Sequence, residues 1–448
     1  MENSATRTST TSFSAPSAGI EAKRYVLADG LKYRREYFGG ILYDSLSKTT
    51  RFFNHAAAYT LEAFRLPIRV ADASQAIQHI LSEPSFATPF IEELIASGVI
   101  APFADANHTN SRMFFTDISE FPEDRLWSPL GVELELTLRC MRRCGYCSYD
   151  SSPTVEVAGQ LDTSTYSQIL RRLDQIGVCY IRFTGGDPLT REDTLDILSD
   201  ADKLGFAIAI ASDLTILTDS HINRLSALRN LTALQTTLDG PTAEVADEFR
   251  GHGNFRRVLT GIERLRRNGI PVIVGTVLTK HNAPVIYATA QLLARFDVAY
   301  CVSPLYAAGR GRLLSDSIPD DDDLTTAYEQ FAAAVSDGLV RPGDPAWRTL
   351  TDRTPADLRH TLWAGQPWLV RSPDRLLRID PFGRCYTSVH LKEVYGDDVY
   401  VGHVPRSDPL QVWHSAPLLN ALRSVRQPNA YFGDVVDIRN LQKEGGSV

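Results

Sequence analysis

The chain has 448 residues, a length that predicts roughly two to three domains of ordinary size. With 43% hydrophobic and 22% charged residues it has the apolar material for large cores, which excludes a wholly disordered, collagen-like or small disulfide-stapled protein. No apolar run approaches the roughly 18 residues of a membrane span, Met1-Glu2-Asn3-Ser4 does not open a signal segment, and a net charge of -8 argues against wide contact with nucleic acid or anionic lipid.

Met1 to about Gly19 is rich in Ser, Thr and Ala without apolar periodicity and reads as a disordered tail. Residues 20–104 then read as a small α+β module. Phe38–Tyr43 and Thr50–Phe53 are short strands joined by a polar turn, Asp44 to Lys48. Asn54 caps a helix from His55 to Phe64 that Pro67 ends. Ile77, Ile80 and Leu81 recur at helical spacing in Ala73 to Leu81, and Phe90, Ile91, Leu94 and Ile95 share a face of Pro89 to Ser97, which stops at Gly98. A hairpin with three helices in about 80 residues has the size of a winged helix. Residues 105–125 are polar and aperiodic, a linker.

From Leu126 to residue 306 strand and helix patterns alternate. The strands are Val132–Leu138, Val178–Phe183, Phe206–Ala211, Ala233–Leu238, Val272–Leu278 and Tyr300–Pro304. Between them lie amphipathic stretches, such as the one whose Tyr166, Ile169, Leu170, Leu173 and Ile176 share a face. Six βα-type units in one run predict a parallel sheet covered by helices, an open sheet or a partial barrel, with its chemistry in the loops at the strand carboxyl ends. Residues 307–448 are less regular. Pro319 to Asp323 is an acidic helix start before Leu324–Val335, and Leu376–Ile379 and Val399–Val401 read as short strands.

The first of these strands runs into Cys140, Cys144 and Cys147, a C-x3-C-x2-C triplet with Tyr146 before the last thiol, while Cys179, Cys301 and Cys385 are isolated. In a cytoplasmic chain a tight thiol cluster more often holds metal than forms disulfides. Three thiolates on one loop can hold three irons of a [4Fe–4S] cube and leave the fourth open. A structural zinc site wants four closed ligands; an isolated cysteine could supply the fourth, so zinc stays open on spacing alone.

The triplet, followed after the second strand by Thr184-Gly185-Gly186-Asp187-Pro188, resembles the radical S-adenosylmethionine (SAM) superfamily over about Leu126 to Pro304. The resemblance implies a partial (β/α)6 barrel, one [4Fe–4S] cluster on Cys140, Cys144 and Cys147, and SAM chelated by the open iron. It also implies cofactor contacts from Tyr146, Thr184, Gly185, Gly186 and Asp187, with Asp187 in place of the more usual Glu. Ser212 and Asp213 stand where the family often has Thr-Asn-Gly for the SAM ribose, and Asp213-Leu214 departs from that pattern. Thr237-Leu238-Asp239-Gly240 is similar to a family Ser-Leu-Asp-Gly, and Arg250 to the arginine that meets the SAM carboxylate, a bidentate task that suits its fork. Gly309-Arg310-Gly311 resembles a segment common in peptide-modifying members.

Leu377 to Cys385, Val401-Gly402-His403-Val404 and Gln411 to Ser415 are similar to the SPASM/twitch extension of such enzymes. Trp363-Ala364-Gly365 replaces a cysteine-bearing element there and no cysteine follows Cys385, so the extension is degenerate and a single cluster is expected. Cys385 then reads as a buried thiol or, less commonly, a substrate-facing radical or acid/base residue. The module at 20–104 resembles PqqD-like leader-recognition domains, which implies capture of an extended leader peptide by strand addition. DNA binding, the rival for a winged helix, is disfavoured because the third helix carries Glu92 and Glu93 and no Lys or Arg.

Together these resemblances imply a cytoplasmic maturase of ribosomally synthesised peptides (RiPPs). Its reduced cluster would split SAM, and the 5′-deoxyadenosyl radical would take hydrogen from a precursor peptide, with ferredoxin or flavodoxin as electron donor. The main reading is a radical SAM oxidoreductase, and two alternatives stand: a radical SAM enzyme acting on a small metabolite, and a non-enzymatic metal-binding winged-helix regulator.

Overall fold

A computed structural model describes residues 23–45, 49–78, 87–103, 112–114, 125–305, 307–343, 369–371, 375–424 and 435–437. The expected tail, most of the expected linker, Ile80, Leu81 and Trp363-Ala364-Gly365 lie outside the described residues. The chain divides into two compact units, residues 1–42 with 51–115, and residues 43–50 with 116–448.

The first unit contains more strand than its sequence pattern suggests. Its strands are β1 (Arg24–Leu27), β2 (Leu31–Glu36), β3 (Gly39–Asp44), β4 (Thr49–Phe53), β5 (Ile68–Arg69), β6 (Ile100–Pro102) and β7 (Arg112–Phe114); its helices are α1 (His55–Glu62), α2 (Val70–Gln78) and α3 (Ala87–Ala96). One sheet has the order β5-β1-β6 and the other β4-β3-β2-β7. Asn54 caps α1 as expected, its side chain accepting from Ala57 N at 2.9 Å. Strand β2 escapes the apolar pattern because its charges are buried in pairs. Arg34 donates to Glu36 at 2.6 Å, and Tyr33 and Arg35 both donate to Glu62 at 2.6 and 2.8 Å. Leu27, Tyr33, Leu61, Phe64, Ile77 and Ile91 fill the core between sheet and helices.

In the second unit six parallel strands follow in sequence order: β8 (Gly131–Thr137), β9 (Tyr180–Gly185), β10 (Ala207–Ala211), β11 (Leu231–Thr237), β12 (Val272–Leu278) and β13 (Ala299–Pro304). Helices α4 (Thr163–Gln175), α5 (Thr194–Lys203), α6 (Asp219–Ser226), α7 (Ala243–Asp247), α8 (Asn254–Arg267) and α9 (Ile286–Leu293) fill the crossovers. This is the α/β architecture the alternation predicts, with strand bounds shifted by two residues at most. Side chains alternate between the two faces of the sheet. Val132, Leu134, Ile181, Phe183, Ile208 and Ile210 point to one, whereas Glu133, Glu135, Arg182, Ala209 and Gln235 point to the other.

The C-terminal residues extend this same sheet. After α10 (Asp321–Ser336), whose Asp320 cap accepts from Asp322 N and Asp323 N, comes β14 (Arg341–Pro342), parallel to β13. A separate pair, β15 (Leu369–Arg371) and β19 (Val435–Asp437), is antiparallel. Strand β16 (Leu376–Ile379) lies parallel to β8 at the other end, followed by β17 (Arg384–Tyr386) and β18 (Gly402–His403), which completes a ten-stranded sheet. Helices α11 (Val389–Tyr395), α12 (Pro409–Ser415) and α13 (Pro417–Ser424) belong to this region. The strand expected at Val399–Val401 is not one. Val399 ends a helical turn from Gly396, and the chain joins β17 only afterwards, Val401 N donating to Cys385 O at 2.8 Å and the register falling on Gly402 and His403; a Cβ on Gly402 would meet Val412 at 2.5 Å.

Candidate functional site

The thiol loop leaves β8 at its carboxyl end and is tied down from several sides. Thr137 Oγ1 accepts from Arg139 N at 3.0 Å, Cys140 N donates to Ser152 O at 3.2 Å, and Gly145 N donates to Phe249 O at 2.8 Å. Arg310 spans the loop, its Nε on Cys144 O and its Nη2 on Ser151 O, both at 2.8 Å. Gly309, with φ of +54°, lets this segment approach; a Cβ there would lie 2.5 Å from Cys147 O. The motif at residues 309–311 therefore buttresses the thiol loop.

The glycine pair after β9 lies against the same loop. Gly186 N donates to Thr137 O at 2.7 Å and Asp187 N to Arg139 O at 2.8 Å. A Cβ on Gly185 would meet Thr137 O at 2.3 Å, and one on Gly186 would meet Arg139 O at 2.1 Å. Only hydrogen fits at either position. Thr184, buried, precedes them opposite Glu135 in the β8–β9 register.

Asp187 does more than offer backbone. Its carboxylate accepts from Leu189 N at 3.0 Å, Ser212 Oγ at 2.9 Å and Asp213 N at 3.2 Å, pinning the turn after β10. Burial first, and then Asp213, pushes the Asp187 carboxyl well above the usual range. Asp213 Oδ2 is buried without a hydrogen-bond partner, 3.9 Å from an equally unpartnered Arg142 Nε.

A second constellation joins Tyr146, Asp239 and Arg250. Tyr146 donates its hydroxyl to Asp239 and accepts from Arg250 Nη1 at 3.0 Å. Asp239, two residues beyond Thr237 at the end of β11, also accepts from Val277 N at 2.9 Å. Burial pushes the Asp239 carboxyl up, while Arg250 draws it back. Arg142 connects the constellations, donating to Gly251 O at 2.9 Å and to Arg250 O. The structure thus gathers Tyr146, Gly185, Gly186, Asp187, Ser212, Asp213, Asp239 and Arg250 about the thiol loop.

Cys385 lies elsewhere. It pairs across the strands with Ile379, which pairs with Leu134, so its thiol shares the aliphatic face of the sheet. Burial pushes it up to about 12. The residues the sequence reading passed over occupy the opposite face. Glu133 is held between Arg182, at 2.9 Å, and Arg378. Glu135 accepts from Tyr386, and Lys392 sits 4.1 Å from the Tyr386 ring. The repeat Val132-Glu133-Leu134-Glu135-Leu136 was the available signal: two carboxylates in alternation on a buried strand.

The donor set fits an iron–sulfur cluster. Burial raises the Cys140 and Cys144 thiols, and Arg250 opposes this at Cys144, so a cationic centre would supply the charge that thiolates lack here. Cys140, Cys144 and Cys147 are three half-buried thiols on one loop, whereas a closed zinc site wants four ligands. In a cube each thiolate serves a different iron. Arg250 Nε, buried without a partner, leaves one donor for an incoming group.

Residues 134–293 match the family model described as the radical SAM superfamily. The chain carries a radical SAM domain. The chain is 33% identical over 196 residues to the AdoMet-dependent heme synthase of Methanosarcina barkeri, the match covering 43% of this chain and 56% of that protein. It is 26% identical over 318 residues to the mycofactocin maturase MftC of Mycobacterium ulcerans, covering 69% of this chain and 80% of the relative. In fold, the chain is similar to Streptococcus suis SuiB bound to precursor peptide SuiA, with a TM-score of 0.66, 15% identity, and 91% and 92% of the two chains covered. Among the described residues no helix is long and apolar enough to cross a membrane.

Proposed function

We propose that the protein is a radical SAM maturase that modifies a ribosomally made precursor peptide. The observation that carries the reading is the thiol loop clamped against the Gly185-Gly186 pair, with the Tyr146–Asp239–Arg250 chain beside it. Cys140, Cys144 and Cys147 would hold one [4Fe–4S] cluster, and the turns at 185–187 and 212–213 with Arg250 would hold SAM. When bound, the reduced cluster supplies one electron that splits SAM into methionine and a 5′-deoxyadenosyl radical able to take hydrogen from an unactivated carbon.

The chain's own residues do the positioning. Gly185 and Gly186 allow an amino group to approach bare backbone. Arg250 offers its unpartnered Nε to a carboxylate, and its bond to Tyr146 fixes it in place. The inner face of β8 and β9, with Glu133, Glu135 and Arg182, would floor the substrate chamber and keep it dry, so that the reacting atoms stay together. The first unit would capture the leader, raising the effective concentration of the core peptide. Its outer strand β4, with Phe52 58% exposed, offers an edge for an added peptide strand.

A peptide substrate is supported by the match to a maturase over 69% of the chain and by a fold shared along nearly the whole length with SuiB. The second reading, a small metabolite, is favoured by the higher identity to a heme synthase, over only 43% of the chain. Anaerobically reconstituted protein given dithionite and SAM should release 5′-deoxyadenosine. Coexpression with a short neighbouring reading frame should change that peptide's mass. Zinc in place of iron, or no 5′-deoxyadenosine, refutes the cluster; an unmodified peptide alongside turnover of a small molecule selects the second reading.

A further inference from the structure

The thiol loop is also a surface. Cys140, Cys144 and Cys147 are half-buried, but Arg139, Met141 and Arg143, interleaved with them, are exposed, Met141 to 45%. Neither the Arg139 nor the Arg143 side chain makes a hydrogen bond or ion pair among the described residues. A cleft of about 470 Å³ opens on this face, lined by Met141, Arg142, Arg143, Gly145, Phe249 and Arg250. His252 adds a further basic group and Glu248 the one carboxylate of the lining, 3.8 Å from His281. A chain of net charge -8 thus presents unpaired cations where its thiol loop meets solvent.

That combination has a physical use. The three thiols are half-buried and the residues between them reach solvent, so a centre held there would lie beneath this surface. The exposed thioether between two guanidinium groups gives a polarizable contact flanked by positive charge. Against a repulsive net charge, such a patch raises the encounter rate for an anionic partner in one orientation only.

We infer that the face formed by Arg139, Met141, Arg143 and the cleft to Arg250 docks an acidic one-electron carrier protein. The inference deepens the proposed function, which requires that a centre on this loop be reduced from outside. In the docked complex the carrier is oxidised by one electron and the centre held by the thiols is reduced by one. No atom is transferred.

Purified acidic flavodoxin is the probe, with the full chain throughout. Its oxidised form should bind the wild-type chain in surface plasmon resonance, and binding should weaken steeply between low and high salt. Arg143→Glu should weaken it roughly tenfold, Met141→Glu similarly, while Arg143→Lys stays near wild type. In turnover, Arg143→Glu should raise the flavodoxin concentration for half-maximal 5′-deoxyadenosine release by a similar factor, and leave the dithionite-driven rate within about twofold. Equal flavodoxin affinity in wild type and Arg143→Glu, insensitivity to salt, or displacement of flavodoxin by duplex DNA each overturns the inference. Because binding needs no cluster, a variant that loads iron poorly still reads the face. Failure of dithionite itself to drive SAM cleavage in the wild type refutes the proposed function instead, and the binding data still decide the surface.

Discussion

Replacing Gly186 by alanine tests the clamp between the thiol loop and the glycine turn. The added Cβ would lie 2.1 Å from Arg139 O, 2.6 Å from Arg139 C and 2.7 Å from Leu138 O, all backbone, so no side chain can swing aside. Relief requires β8 and the turn to separate, which also breaks the 2.8 Å bond from Asp187 N to Arg139 O. Overpacking costs about 2 kcal/mol and the lost hydrogen bond about 1 kcal/mol. For a unit of roughly 340 residues, with an unfolding entropy near 2.1 cal/mol/K per residue, a loss of about 3 kcal/mol lowers Tm by about 4 °C. The matched control is Gly159→Ala. Its φ is left-handed, +78°, as that of Gly186 is not, but nothing lies within 4 Å, so it should cost only about 1 kcal/mol of backbone strain. Calorimetry reads the stability, and SAM titration by equilibrium dialysis reads the site. The expected result is a larger Tm loss for Gly186→Ala together with at least a tenfold weaker SAM affinity. If both variants melt alike and bind SAM alike, the clamp is not what holds the turn.

Three further outcomes are expected. Burial raises the Glu135 carboxyl from 4.5 to about 7, against the pull of Lys392, Tyr386 and Arg378, with Asp380 opposing them. The stability this confers is complete below about 4.5 and lost by about pH 7, so wild-type stability should fall as pH rises across that window; Glu135→Gln should flatten the fall, worth at most about 3 kcal/mol, and parallel urea profiles of the two proteins refute it. Arg250→Ala removes the donor to the Tyr146 hydroxyl and the cation nearest the buried Asp239, and should cost about 1 to 3 kcal/mol by denaturant unfolding, whereas an unchanged midpoint contradicts the chain from Arg250 through Tyr146 to Asp239. Serine at Cys140, Cys144 or Cys147 should abolish iron retention and 5′-deoxyadenosine release, while Cys385→Ala should keep about four irons per chain, and iron lost on changing Cys385 would rule out a single three-thiol cluster.

The strands of the second unit were legible because a parallel sheet covered by helices writes its pattern plainly, as aliphatic runs between amphipathic helices closed by glycines such as Gly177 and Gly205. The cysteine spacing and Gly185-Gly186 were legible for a related reason: each demands particular atoms, thiol sulfur or a missing Cβ. Strand β2 was not, because Lys32, Arg34 and Glu36 look like a solvated face until their buried partners are seen. Glu133 and Glu135 were passed over in the same way. The repeat at 132–136 marks them as a strand face, but what lets them be buried is Arg182, Arg378 and Tyr386, and Arg378 and Tyr386 come from more than 200 residues downstream. The role of Arg310 as a brace for the thiol loop was equally non-local, since its partners are carbonyl oxygens that carry no sequence signal.

The segment matched by the family model cannot be cut out and expected to stand alone. Strand β16 supplies the outer neighbour of β8, Arg375 O receives both Leu130 N and Gly131 N, and Trp413 and His414 of α12 reach back to the carbonyls of Leu126 and Trp127. A fragment ending near residue 304 would bare one rim of its first strand to any passing peptide and leave Glu133 with half its counter-charge. The ribosome delivers the lock for the opening strand more than 200 residues after that strand, so the thiol loop takes its final shape late, and changes within residues 375–424 will be felt there.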